Sequence, residues 1–157
     1  MLSLRLVHLL ETHSDEIATN LAIQSARKFD VREVSKFELL IVVRDLLQHL
    51  REWLLNNRQT ELEAHYRETG AWLAGQQVNA AEACRIVIIT KEHLWKLLQE
   101  QALPNPIELY GEMELLWVLS QFFDRALCCI VEGYGESRLE RCPQPKYAEV
   151  NLANFVP

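Results

Sequence analysis

The chain has 157 residues, 49% of them apolar and 24% charged, a balance typical of a single globular domain. Its net charge of −6 and pI near 5.4 argue against a nucleic-acid or anionic-membrane partner, because no basic stripe is present. The basic residues near the end, Arg138, Arg141 and Lys146, are loosely spaced and interrupted by Glu140. We therefore expect neither nucleic acid nor membrane among the partners.

The N-terminal run, residues 1–10, has no basic region before its apolar part and no small-residue cleavage site, so it is a poor signal peptide. The longest apolar stretch, residues 115–131, is interrupted by polar and charged side chains such as Asp124 and Arg125. A bilayer span needs about 20 nearly uninterrupted apolar residues. We interpret this stretch as a helix buried on two sides, and we expect a cytoplasmic protein.

Four pairs of residues have the spacing of a helical capping box, in which a cap side chain and a glutamate three residues later satisfy free backbone N–H groups. The pairs are Ser35–Glu38, Thr60–Glu63, Asn79–Glu82 and Asn105–Glu108. Pro106 suits the first position of the last helix, where its missing N–H costs nothing. The boxes predict a succession of helices and leave little room for strands.

We expect helices over about residues 4–28, with a break near His13 and Ser14, over 36–55, 61–74 and 80–102, and from Pro106 past Val131. Gly75 is a suitable end for the third helix, and residues 133–135 are expected to fray or turn the last. The prediction is an all-α domain of about five to six helices over residues 1–140. Residues 141–157 form a Pro-containing tail or the start of a linker.

The second and last helices each have more than one apolar face. Burying a large apolar side chain is worth roughly 1.5–3 kcal/mol, and a patch left in water attracts a partner. A two-fold dimer covers such a patch economically. We therefore predict a homodimer with a candidate interface at Trp53, Trp117, Phe122 and Phe123.

No motif indicates catalysis or a metal. Glu-x-x-His, Gly-x-Ser-x-Gly and Gly-x-Gly-x-x-Gly are all missing from the sequence, and the pair Glu61 and His65 falls far short of a metal site. We predict no catalytic residue, no metal, no cofactor and no enzymatic activity. The cysteines, whose spacing fits neither zinc nor a disulfide framework, are interpreted as small buried residues, with a redox switch at Cys128 or Cys129 as the alternative.

Two alternatives concern His93. With Lys96 it forms His-x-x-Lys, which is found in histidine phosphotransfer domains, although the bulky Leu97 follows the lysine here. A helical histidine can also hold haem iron in a globin-like pocket. Otherwise His93 is a boundary histidine bonded to water or a carbonyl, and His49, beside Trp53, is interpreted in the same way.

As a whole, the chain resembles the RsbRD-type N-terminal domain of stress-response sigma-factor regulators and sensor histidine kinases. Three stretches carry the resemblance: HSDEIATNLAIQSARKF, YRETGAWLAGQQVNAAEACRIVIITKEHLWKLL and ELLWVLSQFFDRALCCIVEGYGESR. The middle one is the most telling, with a glycine-containing turn and then a long helix that has the late Trp95. The resemblance covers roughly residues 5–140.

The resemblance implies a globin-like fold without haem, pairing as a homodimer, and relay of a stress or environmental signal to a downstream output domain or signalling partner. It brings no catalytic residues with it. The function expected from the sequence is thus a non-enzymatic signalling input domain, with a haem- or small-ligand-binding sensor and a phosphotransfer protein, both using His93, as the alternatives.

Overall fold

The structure, a computed structural model, describes residues 2–29, 33–56, 59–100 and 106–141. These residues form five α-helices and no strand: α1 Leu2–Phe29, α2 Glu33–Asn56, α3 Gln59–Gly75, α4 Ala80–Glu100 and α5 Pro106–Arg141. The predicted all-α fold is confirmed. The tail predicted over 141–157 lies outside the described residues from 142 onward.

The expected break in α1 is absent. The helix runs without interruption through His13 and Ser14, and Leu10 and Ile17 on either side are both buried in the core. Side-chain hydroxyls of Thr12 and Thr19 donate to backbone carbonyls four residues earlier, as they do inside a regular helix. Packing of the apolar face therefore outweighs the start signal of Ser14 and the acids that follow it.

The helices associate mainly as two pairs, α1 with α2 and α3 with α5, and α4 packs on α5 while also contacting α1 and α2. The apolar faces expected on α2 are packed inside this same chain, with Val42, Val43, Leu46 and Leu47 all buried in its core. The expectation that the second of these faces meets a partner is therefore not supported for α2. None of the helices in the described ranges is long and apolar enough to cross a membrane.

The predicted capping boxes have mixed outcomes. Asn79 caps α4, because its side-chain oxygen accepts from the N–H of Ala81 at 2.9 Å. Ser35 and Thr60 lie inside helices that begin at Glu33 and Gln59, so they are not caps. A Ser or Thr three residues before Glu is also an ordinary pair on one helix face, which explains the error. Helix α5 begins at Pro106 as expected, and Asn105 lies outside the described residues.

Helix α3 ends at Gly75 as predicted, but the left-handed residue that terminates it is Gln77, with φ of 60°. The N–H of Val78 donates to Leu73 at 3.1 Å, and that of Gln77 donates to Ala74 at 3.2 Å. These are the two hydrogen bonds of a Schellman motif. The loop is also fixed from α5, since the Tyr134 hydroxyl donates to the carbonyl of Val78 at 3.0 Å.

Helices α3 and α5 cross with their backbones in close contact. A Cβ on Gly70 would overlap the carbonyl of Ile130, and one on Gly133 would overlap the carbonyl of Arg67. Gly133 therefore lies inside α5 and not at the turn expected from the sequence. Beside the crossing, Arg67 pairs with Glu132 at 3.1 Å, and Arg125 pairs with Glu63 at 3.2 Å.

Three of the four side chains predicted at a dimer interface lie instead in the core of one chain. Trp53, Phe122 and Phe123 are 5%, 0% and 1% exposed. Phe122 is in edge-on contact with Trp53, with ring centroids 6.0 Å apart, and also with Tyr66 and Phe123. These rings join α2, α3 and α5 within the chain and are unavailable to a partner. Trp117 is 66% exposed.

Candidate functional site

Three ionisable side chains from two helices meet between α2 and α3. Asp45 and His49 lie one turn apart on α2, and His65 lies on α3. The Nε2 atom of His65 is 2.9 Å from both carboxylate oxygens of Asp45. The Nδ1 atom of His49 is 3.3 Å from Oδ1 of Asp45 and 3.0 Å from its backbone oxygen. We call these three residues the Asp–His–His cluster.

The two histidine rings of this cluster are stacked, with centroids 4.2 Å apart and planes 22° from parallel. Tyr66 presents its ring to both of them, at 5.8 Å from His49 and 5.1 Å from His65. The Tyr66 hydroxyl is fully buried and makes no hydrogen bond with the residues the structure describes. Such a group is costly to bury unpaired, so it marks this location as more than ordinary core.

The electrostatics of the cluster favour a charged pair. Burial by itself raises the pKa of Asp45, but hydrogen bonds and charges from His49 and His65 outweigh it, and the pKa is lowered. The hydrogen bond that His49 makes with the Asp45 carboxylate raises the pKa of His49, although burial by itself would lower it. Burial, followed by the charge of Asp45, raises the pKa of Tyr66 well above its usual value, so that side chain is a neutral phenol. The Tyr66 hydroxyl lies close to Asp45, but the contact between them does not have the geometry of a hydrogen bond.

Cavities open on both sides of the cluster. One, of about 340 Å³, reaches His49 and is lined by His49, Glu52, Trp53, Asn56, Glu61 and Leu62. The other, of about 280 Å³, reaches the remaining two members and is lined by Ile41, Val42, Asp45, His65, Glu68, Thr69 and Trp72. The cluster is consequently accessible from solvent, and its side chains are between 23% and 36% exposed.

The sequence-predicted candidates have other environments. His93 is half-buried on α4 and lines neither of these cavities; burial, and then the positive charge of Lys96, lower its pKa. His65 pairs with Asp45 of α2. Cys129 is buried as expected, and burial raises the pKa of its thiol, whereas Cys128 is exposed.

A second feature is an exposed apolar stripe along α5. Successive residues of an α-helix are about 100° apart around its axis, and the members of the stripe lie within about 40° of Trp117 on that basis. They are Met113, Trp117, Cys128, Val131 and Leu139, and all five are exposed. The same face includes Asp124, whose charge is paired with Lys91 of α4 at 3.1 Å. We call this surface the α5 stripe. This side of residues 115–131, expected to be buried, is exposed in the single chain.

Comparison with known families identifies the chain. The model of the RsbT co-antagonist protein rsbRD N-terminal domain matches residues 9–142. The chain belongs to this family. No curated protein and no solved structure matches it. The family is one of regulatory, sensory domains found in stress-response signalling, which agrees with the resemblance carried by the three sequence stretches.

Neither feature of this rsbRD-type domain was found from the sequence. Asp45 and His49 have i, i+4 spacing, which places them on one helix face. The third member, His65, comes from another helix, and only the packing of α2 against α3 brings it within reach. The α5 stripe was obscured because apolar residues surround much of that helix, and the fold decides which of its faces is covered.

Proposed function

We propose that this rsbRD-type domain is a non-enzymatic signalling input domain that forms a two-fold homodimer through the α5 stripe and passes a signal to a downstream output domain or signalling partner. The observation that carries the proposal is the exposure of Trp117 together with a row of apolar side chains along one side of α5. Membership of a regulatory family supports the same function.

The α5 stripe is suited to pairing with its own copy. A two-fold axis places the same patch of both subunits in contact, so a single apolar row is self-complementary. Trp is one of the side chains enriched at the energetic centre of interfaces. The charge of Asp124 is already compensated by Lys91, which lowers the cost of covering that part of the face.

Helix α5 also provides a means of relay. Its 36 residues span about 54 Å, so one continuous element joins the core to the C-terminal end at Arg141. Phe122 lies on the side of α5 opposite Trp117 and contacts rings from α2 and α3. A rearrangement of those helices would therefore shift α5 and alter how two copies pair. Rigid interhelical packing makes such shifts discrete and transmissible.

Size-exclusion chromatography with light scattering tests the pairing. We expect twice the monomer mass of 18.3 kDa for the wild type and the monomer mass for Trp117→Glu. Phe37→Glu is the matched control, because Phe37 is 67% exposed on α2 but outside the stripe, and it should remain dimeric. A monomeric wild type, or a dimer unaffected by Trp117→Glu, contradicts the proposed interface.

The two alternative functions have distinct signatures. A haem sensor develops a Soret band when haem is added, and His93→Ala abolishes it. A phosphotransfer protein is labelled at His93 by a phosphorylated receiver. We expect neither result, because His93 lines neither of the two cavities described above.

A further inference from the structure

We propose that Asp45, His49 and His65 bind a divalent transition-metal ion of the Zn²⁺ class, which links α2 to α3. This site is separate from the α5 stripe, and metal binding does not depend on the proposed dimer.

Interatomic distances in the cluster are those of hydrogen bonds, and they are also short enough for the same atoms to share an ion. Two ligands held at about 2.1 Å from one cation are about 3.0 Å apart in octahedral and about 3.4 Å apart in tetrahedral geometry. The separation of His65 Nε2 from Asp45 is 2.9 Å, and that of His49 Nδ1 from Asp45 Oδ1 is 3.3 Å. All three ligand atoms lie within 4.8 Å of one another, so a modest ring rotation brings them around one ion.

The chemistry of the donor set selects the class of metal. Two imidazoles and one carboxylate suit Zn²⁺, Co²⁺ or Fe²⁺, whereas Ca²⁺ and Mg²⁺ prefer oxygen ligands throughout. Three protein ligands leave coordination positions open to water. The cavities on either side of the cluster provide room for those waters and a route for the ion.

Tyr66 lies directly beside the cluster, with its hydroxyl close to Asp45. Its hydroxyl is buried without a hydrogen bond, and its ring lies against both histidines. A phenol in this position can donate to the Asp45 carboxylate or to a metal-bound water after a small adjustment. Hydrogen bonds of this kind orient the ligands and raise metal affinity.

The position of the His49 ring must change before it can bind an ion through Nδ1. In the structure, Nδ1 of His49 lies 3.0 Å from the backbone oxygen of Asp45, an acceptor, so this nitrogen carries a proton in the metal-free fold. The ring must therefore turn away from that carbonyl, or move the proton to Nε2, to present Nδ1 to a metal.

The bound ion would affect the rest of the fold through α3. Helix α2 and helix α3 are partly separated by the two cavities, whereas α3 and α5 are in backbone contact at Gly70 and Gly133. Fixing His65 to α2 therefore restrains α3, and with it α5. That consequence for signalling rests on the proposed function, but the binding itself does not.

Titration of the metal-free protein with Co²⁺ tests the site directly, because the intensity and wavelength of its d–d absorption bands change when protein ligands replace water. We expect one Co²⁺ per chain, displaced by Zn²⁺, and a higher Tm in the presence of Zn²⁺ than in EDTA. Asp45→Asn, His49→Ala and His65→Ala should each weaken binding by at least about tenfold. His13→Ala is the matched control, because His13 is an exposed helical histidine paired with Glu16 at 3.3 Å, and it should bind as the wild type does.

Circular dichroism and the Tm in EDTA identify any variant that fails to fold. Asp45→Asn keeps the size of the side chain, so it is the deciding variant if the histidine variants do not fold. The proposal is overturned if no Co²⁺ bands and no Zn²⁺-dependent rise in Tm are observed in the wild type. It is also overturned if a folded Asp45→Asn binds as tightly as the wild type. Measuring the oligomeric state with and without Zn²⁺ separates the failure of the dimer from the failure of the metal site.

Discussion

Gly70 of α3 lies directly against the backbone carbonyl of Ile130 on α5, with no space for a Cβ atom between them. Gly133 makes the reciprocal approach to α3 at Arg67. The two glycines allow the helices to cross with their backbones in contact. The ion pair between Arg67 and Glu132 lies beside the crossing. The orientation of α5, and therefore of the α5 stripe, depends on these two positions.

Replacing Gly70 with Ala should destabilise the domain by about 1–3 kcal/mol, because overpacking at a helix crossing costs more than the roughly 1 kcal/mol that alanine adds in helix propensity. Chemical denaturation measures the change. Gly75→Ala is the control, since a Cβ there meets nothing within 4 Å, and it should be neutral or slightly stabilising. Equal effects of the two substitutions would contradict close backbone contact at Gly70.

Gln77→Gly should stabilise the domain by about 1 kcal/mol. Gln77 has a φ of 60°, and a left-handed conformation costs a residue with a Cβ roughly 1–2 kcal/mol relative to glycine. Part of this gain is lost because glycine makes the unfolded chain more flexible. Gln76→Gly is the control, because it makes the unfolded chain more flexible but does not relieve a positive φ. Denaturation of that variant should therefore show a loss of stability.

Stability of the metal-free protein should fall as the pH rises above 6.5 and through the raised folded-state pKa of His49. The pKa of His49 is raised above 6.5 in the fold, so its interaction with Asp45 is fully present below that value and is lost as the pH rises through the folded-state pKa. The pKa of Asp45 is lowered below 3.8, so its contribution is present above 3.8 and lost as the pH falls through the folded-state pKa. Both contributions coexist between about pH 3.8 and 6.5.

Urea denaturation in EDTA at several pH values measures this dependence in the wild type and in Asp45→Asn. The variant lacks the carboxylate, so the decrease in stability above pH 6.5 should be smaller. Groups elsewhere titrate equally in both proteins and cancel in the comparison. Identical pH profiles would show that the interaction between Asp45 and His49 contributes nothing to the free energy of unfolding.

The fold was predictable from the sequence where a signal is local. Asn79 capping α4 and Pro106 beginning α5 each depend on a few neighbouring residues, and both are correct. Long-range features were not predictable, because they depend on which helices are neighbours. Gly133 resembles a turn until α3 is found beside it, and Phe122 resembles an interface residue until Trp53 and Tyr66 are found to cover it.

The same distinction holds for the candidate site. Sequence spacing reveals ligands that share a helix, such as Asp45 and His49, but two residues are too few to define a site. His65 completes the group only through the tertiary structure. On α3 alone, His65 has only Glu61 at i, i+4 spacing, a pair that falls far short of a metal site and leaves out the carboxylate that His65 contacts.

Tyr66→Phe should leave the stability of the metal-free protein unchanged or raise it by about 1 kcal/mol. The substitution keeps the ring contacts with Phe122 and both histidines and removes a buried hydroxyl that has no hydrogen bond. Tyr134→Phe is the matched control, because the Tyr134 hydroxyl donates to Val78 at 3.0 Å, and its loss should cost about 1 kcal/mol. Urea denaturation in EDTA compares the two. If both variants lose the same stability, the Tyr66 hydroxyl has a partner in the metal-free protein, and it no longer indicates an unfilled site beside Asp45.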